Sequence, residues 1–294
     1  MIFFVKYDSI RYLVFKGDYA GARAMIKQVY HRDEKATRVM DYIELSSRKE
    51  SSTVTLKDCF TVLEYRRSTL IAISIIIFHE MTGENAILLY STEMFKRMES
   101  YQDLDYALSP RQGTILIGFF NLFAHIPAVF LIKKLPRRTL LIYGHIIIAV
   151  CHIFVGAFAA STNDLGVVIM MSMFMVVYVI TNGPIIWLYV SEIASDAALG
   201  FCLFILWTFV LLLSLSTNFL MESFLRPQGV FWIFGAVSLG GAFFNYHFAK
   251  ETRGLSDKEK KTLYSSNYQV IQKPKDNNLL IFDSAGNSNA STIS

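Results

Sequence analysis

His79, Glu80 and Glu84 crowd into six positions of a stretch that is otherwise apolar from Ser68 to Thr92. A carboxylate at mid-bilayer costs at least ~2.5 kcal/mol, so each glutamate must share a proton, find a partner or sit in a hydrated cleft. At a spacing of four, Glu80 and Glu84 face the same way on a continuous helix, whereas a break between them turns them apart. His79 is the side chain best suited to proton exchange near neutral pH. The competing reading places Glu84 near the outer surface, where it is simply wet.

Other polar side chains stand in similar surroundings. Asn85 follows Glu84 directly, and Asn121 and His125 are four apart in a second apolar run, with Pro127 just beyond. The last pair either lines a cavity or ties two helices together by hydrogen bonds. His145 and His152 sit two turns apart in a third run with no Cys or carboxylate beside them, which favours packing over metal binding. No nucleophile and base pair, metal cluster or phosphate loop is present, and nothing calls for a cofactor, so an enzyme is not the reading.

These residues must be carried by helices that cross a membrane. Of the 294 residues, 53% are AVILMFWYC against 18% charged, with mean hydropathy +0.38. A water-soluble domain has roughly a quarter charged residues, so this excess of apolar surface faces something other than water. Three widely spaced cysteines, Cys59, Cys151 and Cys202, exclude a disulfide scaffold. Long apolar runs occupy Ser68 to Thr92, Gly113 to Ile132, Leu140 to Ala160, Leu165 to Val190, Leu199 to Met221 and Val230 to Phe248. Each has the ~20 residues a bilayer-spanning helix requires, which predicts an all-α membrane protein with six transmembrane helices.

The charges orient it. With residues 1–67 inside, 24 of the 28 Lys and Arg fall on that side, which predicts a protein whose two termini are both cytoplasmic. Residues 1–67 read as a cytoplasmic segment with short amphipathic helices, of which Tyr19 to His31 is the clearest. Residues 68–248 are the transmembrane domain and 249–294 a cytoplasmic tail, disordered after about Leu263. Asn289-Ala-Ser291 fits a glycosylation acceptor that this topology leaves unmodified.

Two of the six helices are interrupted by residues that disfavour a helix, the first at Thr82-Gly83-Glu84-Asn85 and the fourth at Thr181-Asn182-Gly183-Pro184. Each opens a group of three helices, which predicts two inverted three-helix repeats. Broken helices at matching positions of such repeats commonly face a substrate cavity, because backbone groups freed in hydrocarbon need polar neighbours, water or ligand. Helix packing is the competing reading for Gly183 alone.

The run Gly83-Glu84-Asn85-Ala86-Ile87-Leu88-Leu89-Tyr90-Ser91-Thr92 resembles the seventh helix of major facilitator superfamily sugar transporters, written Q-Q-x-S-G-x-N-A-x-x-Y-Y-S. Four more matches follow in the family's order. Ser9-Ile10-Arg11-Tyr12-Leu13 with Gly17 and Ala22 is similar to the signature after the sixth helix, and Arg137-Arg138-Thr139-Leu140 to the G-R-R loop. Gly183-Pro184 with Trp187 and Glu192 resembles G-P-x-x-W…E, and Glu251-Thr252-Arg253-Gly254-Leu255 resembles P-E-T-[KR]-G.

The resemblance runs to about Leu263 and implies the C-terminal half of such a bundle plus most of its central loop, with the other half missing. It implies transport of a hexose-like sugar by alternating access, facilitative or proton-linked. On the family's pattern His79, Glu80, Asn85, Asn121 and Trp187 fall at sugar-contacting positions, the first two replacing a glutamine pair. Arg137, Arg138, Glu192, Glu251 and Arg253 would form a cytoplasmic gate network, thinned because Lys133, Pro136 and Leu199 replace the usual acidic residue, Gly and Arg. Implied partners are sugar, lipid, the missing half and protons. A half-protein that regulates a full-length relative, or a carrier of a polyol or other polar solute, are the alternatives.

Overall fold

A computed structural model of the chain describes residues 10–29, 39–41, 43, 54–102, 109–161 and 163–265. Ser9 of the first signature, and the tail from residue 266 on with Asn289, lie outside the described residues. Among those described every regular element is a helix. Two short ones, α1 (Ile10–Phe15) and α2 (Tyr19–Val29), bury Val14, Ala22 and Ile26 against each other. Helix α3 (Leu56–Thr61) begins in a capping box in which Thr55 and Asp58 satisfy each other's backbone groups.

The membrane-length elements follow. The first apolar run becomes α4 (Leu63–Glu80) and α5 (Glu84–Gln102), then come α6 (Pro110–Lys134) and α7 (Arg137–Ala160). The second unit is α8 (Asp164–Ile180) with α9 (Asn182–Ile193), α10 (Asp196–Glu222) and α11 (Arg226–Phe248), and α12 (Asp257–Thr262) closes the described chain. Taking α4 with α5 and α8 with α9 as single spans, six helices are long and apolar enough to cross a membrane. Ser109 and Ser195 cap α6 and α10 through the amides of Gln112 and Ala198, and Asn163 caps α8.

The packing repeats with the chain. Helix α6, second in its unit, lies against α8, while α10, second in the other unit, lies against α4 and α5. The third helices, α7 and α11, form the most extensive pair, and each also packs on the opening helix of the opposite unit. That exchange of partners is what two inverted three-helix repeats produce, the arrangement expected from the sequence resemblance.

The breaks are narrower than the sequence implies. The first is Met81 to Gly83, with Gly83 at φ +82 and Glu84 and Asn85 already helical. A Cβ on Gly83 would fall 2.6 Å from the Phe234 ring, so glycine is required both for the left-handed backbone and for space. The second break is Thr181 alone, at φ −113 and ψ −83. Gly183 and Pro184 form the first turn of α9, where proline's missing N–H leaves no bond unmade.

Two apolar clusters flank these breaks. One gathers α6 with parts of α5, α7, α8, α10 and α11 around Phe174 and Phe231, and the other gathers α3, α4, α9 and the start of α10 around Ile75, Ile76 and Tyr189. Helices α6 and α10 expose Ile115, Phe119, Leu122, Ile126, Phe204, Leu211, Leu215 and Phe219, as surfaces that meet hydrocarbon do.

Candidate functional site

The last turn of α4 and the first turn of α5 converge across Gly83. His79 and Glu80 are each only 3% exposed. The Asn85 side-chain amide donates to Glu80 Oε2 at 2.8 Å, so the break folds these two groups onto one another. His79 Nε2 lies 3.7 Å from Glu80 Oε1 and 3.0 Å from the Tyr178 hydroxyl, and the two rings stack with centroids 5.4 Å apart. Tyr178 also interacts with Glu84. Tyr178 stands three residues ahead of the second break, and the notch is therefore built by both broken helices. Sequence reading passed over it because a tyrosine in an apolar run looks like core.

The remaining expected positions separate. Trp187, on α9, is 40% exposed, with Ile186 and Tyr189 buried behind it. Asn121 is half-buried on α6, and its hydrogen-bonded environment is its own helix: His125, exposed, pairs its Nδ1 with the Asn121 carbonyl at 2.8 Å. No described hydrogen bond joins Asn121 or His125 to the notch.

His145 and His152 are both fully buried on α7 and bonded, beyond plain packing. His152 donates from Nε2 to the Thr82 carbonyl at 2.8 Å, the group that the first break frees. His145 Nδ1 lies 2.8 Å from the Asn182 side-chain nitrogen at the second break and 2.8 Å from the Leu141 carbonyl. Among the described residues no group of three His, Cys, Asp or Glu is arranged to hold a metal ion.

At the end of the half-bundle away from the Phe174 and Phe231 cluster the structure brings five charged residues together. The Glu251 carboxylate accepts from the backbone N–H of Arg137 and of Arg138, each at 3.0 Å, and so caps the start of α7, where Pro136 offers no side-chain acceptor. Arg137 Nε pairs with Glu192 Oε2 at 3.1 Å, and Arg138 donates to the Tyr246 carbonyl at 2.7 Å. Arg253 donates to the Lys134 carbonyl and its own N–H to Glu251.

Three contributors to this cluster were not visible in the sequence. Lys260 pairs with Glu192 Oε1 at 2.9 Å, supplying a cation where Leu199 cannot, and Thr252 donates to Glu192 Oε2 at 2.6 Å. The Ser256 and Glu259 capping box that starts α12 was the available signal, because it places Lys260 within a helix that begins just after the Glu251 motif. Tyr264 follows, 2.6 Å from the Tyr189 hydroxyl and donating to the Phe248 carbonyl, with burial pushing its own hydroxyl above the usual tyrosine range.

The family follows from the whole chain. A sequence model described as "Sugar (and other) transporter" matches residues 1–264. The chain belongs to that family. It is 30% identical over 289 aligned positions to the pig (Sus scrofa) solute carrier family 2, facilitated glucose transporter member 2, covering 94% of this chain and 53% of that one. It is 24% identical to the D-xylose-proton symporter of Escherichia coli K12, covering 93% of this chain and 56% of the symporter. The solved structure of the proton:xylose symporter XylE with 6-bromo-6-deoxy-D-glucose superposes at a TM-score of 0.72 with 21% identity, over 90% of this chain and 56% of that one. The chain spans about half the length of the curated relatives it matches. This member of the transporter family therefore has a multi-pass membrane fold of one six-helix half.

Proposed function

We propose that the chain is the C-terminal half of a sugar carrier working by alternating access, with both termini in the cytoplasm. The observation that carries this is the notch: two interrupted helices bring His79, Glu80, Asn85 and Tyr178 to one place, with Trp187 exposed on the neighbouring helix. Carboxylate and amide groups hydrogen-bond hydroxyls, and an indole offers a flat apolar face to a pyranose ring. The curated relatives named for glucose and xylose transport support a monosaccharide as cargo. Asn121, on α6, is the outlying contact in this reading, reached when a second half closes the cavity.

Arg137, Arg138, Glu192, Glu251 and Arg253 act in this reading as an inner-face latch that tightens when the inner side closes. The excess of Lys and Arg on that face supports its cytoplasmic placement.

The test is labelled-hexose uptake by cells that lack their own hexose carriers and express the chain with the six-helix N-terminal half of a family member. Asn85→Ala and Trp187→Ala should each lower uptake at least about tenfold, the effect of losing one well-placed contact of ~1.4 kcal/mol. Full uptake by both variants, at wild-type surface expression, would remove these residues from the site. Uptake of a polyol in place of hexose by the unmodified pair would reassign the cargo.

A further inference from the structure

Each interrupted helix leaves a buried polar group at its break, and each of these groups is met by an imidazole of α7. His152 Nε2 donates to the Thr82 carbonyl across 70 positions of sequence. His145 Nδ1, in its unprotonated form, accepts from the Asn182 side-chain N–H across 37, and in its N–H form it donates to the Leu141 carbonyl instead. The two histidines are seven residues apart, two turns on one face of α7. Both are fully buried, as are Thr82 and Asn182.

The surroundings are shaped to these two bonds. The His152 ring is caged by Phe174, Phe231 and Phe234, with centroids 4.6, 5.9 and 5.8 Å away, and Phe234 also covers Gly83. Its Nδ1 has no partner, so the ring makes one polar contact, and that contact is the break. At the second break, Gly144 lets α7 approach: a Cβ there would stand 2.5 Å from both Asn182 Oδ1 and Thr181 Oγ1. Gly241 of α11 likewise leaves room for the edge of the His145 ring.

We infer that α7 is the element that fixes both breaks relative to each other, with His152 as positioning residue for the first interrupted helix and His145 for the second. Neither histidine needs to touch a sugar. His152 satisfies the Thr82 carbonyl and His145 engages the Asn182 side-chain nitrogen, which keeps Glu80 and Asn85 on one side, and α9 with Trp187 on the other, in register with a common support. The consequence for transport rests on the carrier reading above, but the bonds themselves do not.

Hydrogen–deuterium exchange on the chain in lipid nanodiscs tests this without any transport. His152→Phe keeps a ring of similar size in the phenylalanine cage and removes the donor. Exchange in residues 81–88 should rise about tenfold, with residues 181–188 unchanged, as expected for one unsatisfied buried acceptor. His145→Leu should do the reverse. His152→Gln, whose amide nitrogen reaches about as far as Nε2, and His145→Asn, which mimics Nδ1, should each restore the wild-type pattern.

In the uptake assay His152→Phe should raise the hexose KM about tenfold and leave Vmax within about twofold. Exchange that rises throughout the chain, that stays unchanged at both breaks, or that is equally raised in the Phe and Gln variants would overturn the assignment. Absence of hexose uptake by the unmodified protein would refute the carrier reading and leave the exchange result to decide this one.

Discussion

Glu80 shows how a single substitution changes what a wall can recognise. Its carboxyl group takes the Asn85 amide donor for itself at 2.8 Å, so a hydroxyl ligand must compete with that oxygen for the donor. An amide at position 80 would offer a donor and an acceptor with no net charge. Glu80→Gln is therefore expected to raise hexose affinity about threefold to tenfold and to leave the fold intact, since the Asn85 bond can still be made to the amide oxygen. Competition of labelled hexose by unlabelled sugars on the paired halves measures the first part, and the thermal midpoint of the purified chain the second. The acidic pair itself was legible in the sequence. That Glu80 would pair with Asn85, and Glu84 with Tyr178, was not, because those partners are set by the turn at Gly83 and by a helix that packs from 94 residues further along.

At the level of elements the two breaks look alike in sequence and differ in construction. Gly83 is left-handed and pressed against Phe234, whereas Gly183 is helical and its nearest non-local atom is a Tyr178 ring carbon that an added Cβ would meet at 3.3 Å. Gly83→Ala should thus destabilise by ~1–2 kcal/mol from the backbone alone, plus the displacement of Phe234. Gly183→Ala should be near neutral, because alanine is the better helix former. Comparing the unfolding midpoints of the two variants in one detergent separates the cases, and equal losses would contradict the geometry. A glycine in a sequence says that something special is allowed; which of left-handed turn, close approach or neither applies depends on neighbours that arrive from α8 and α11.

Across the whole molecule, the cluster around Glu192 and Glu251 ties the ends of α7, α9 and α11 to the short α12. Glu192 serves three groups, Arg137, Lys260 and Thr252, with only 8% of its side chain accessible. Removing one partner of such a partly buried set strands the others, so Glu192→Gln is expected to cost ~2–3 kcal/mol, against under ~1 kcal/mol for Lys260→Ala, whose loss leaves Glu192 still paired. Unfolding midpoints of the two variants, measured at low and high salt, check both the order and the screening. The same cluster shows where family-pattern reasoning stops. The Leu199 replacement thins the expected charge set, yet Lys260 fills the gap from a helix whose docking no local pattern specifies.

The number of spans, the face that collects Lys and Arg, the place of the two interruptions and the family all follow from the sequence by itself, because hydrocarbon thickness and charge translocation act on local composition. Tertiary structure alone decided which group answers each freed backbone or buried polar atom. His152 finds Thr82, His145 finds Asn182, and Glu251 finds the start of α7, over separations of 70, 37 and 113 or 114 positions. Such pairs are set by how the inverted repeats pack, and a linear pattern carries no distance between residues that far apart.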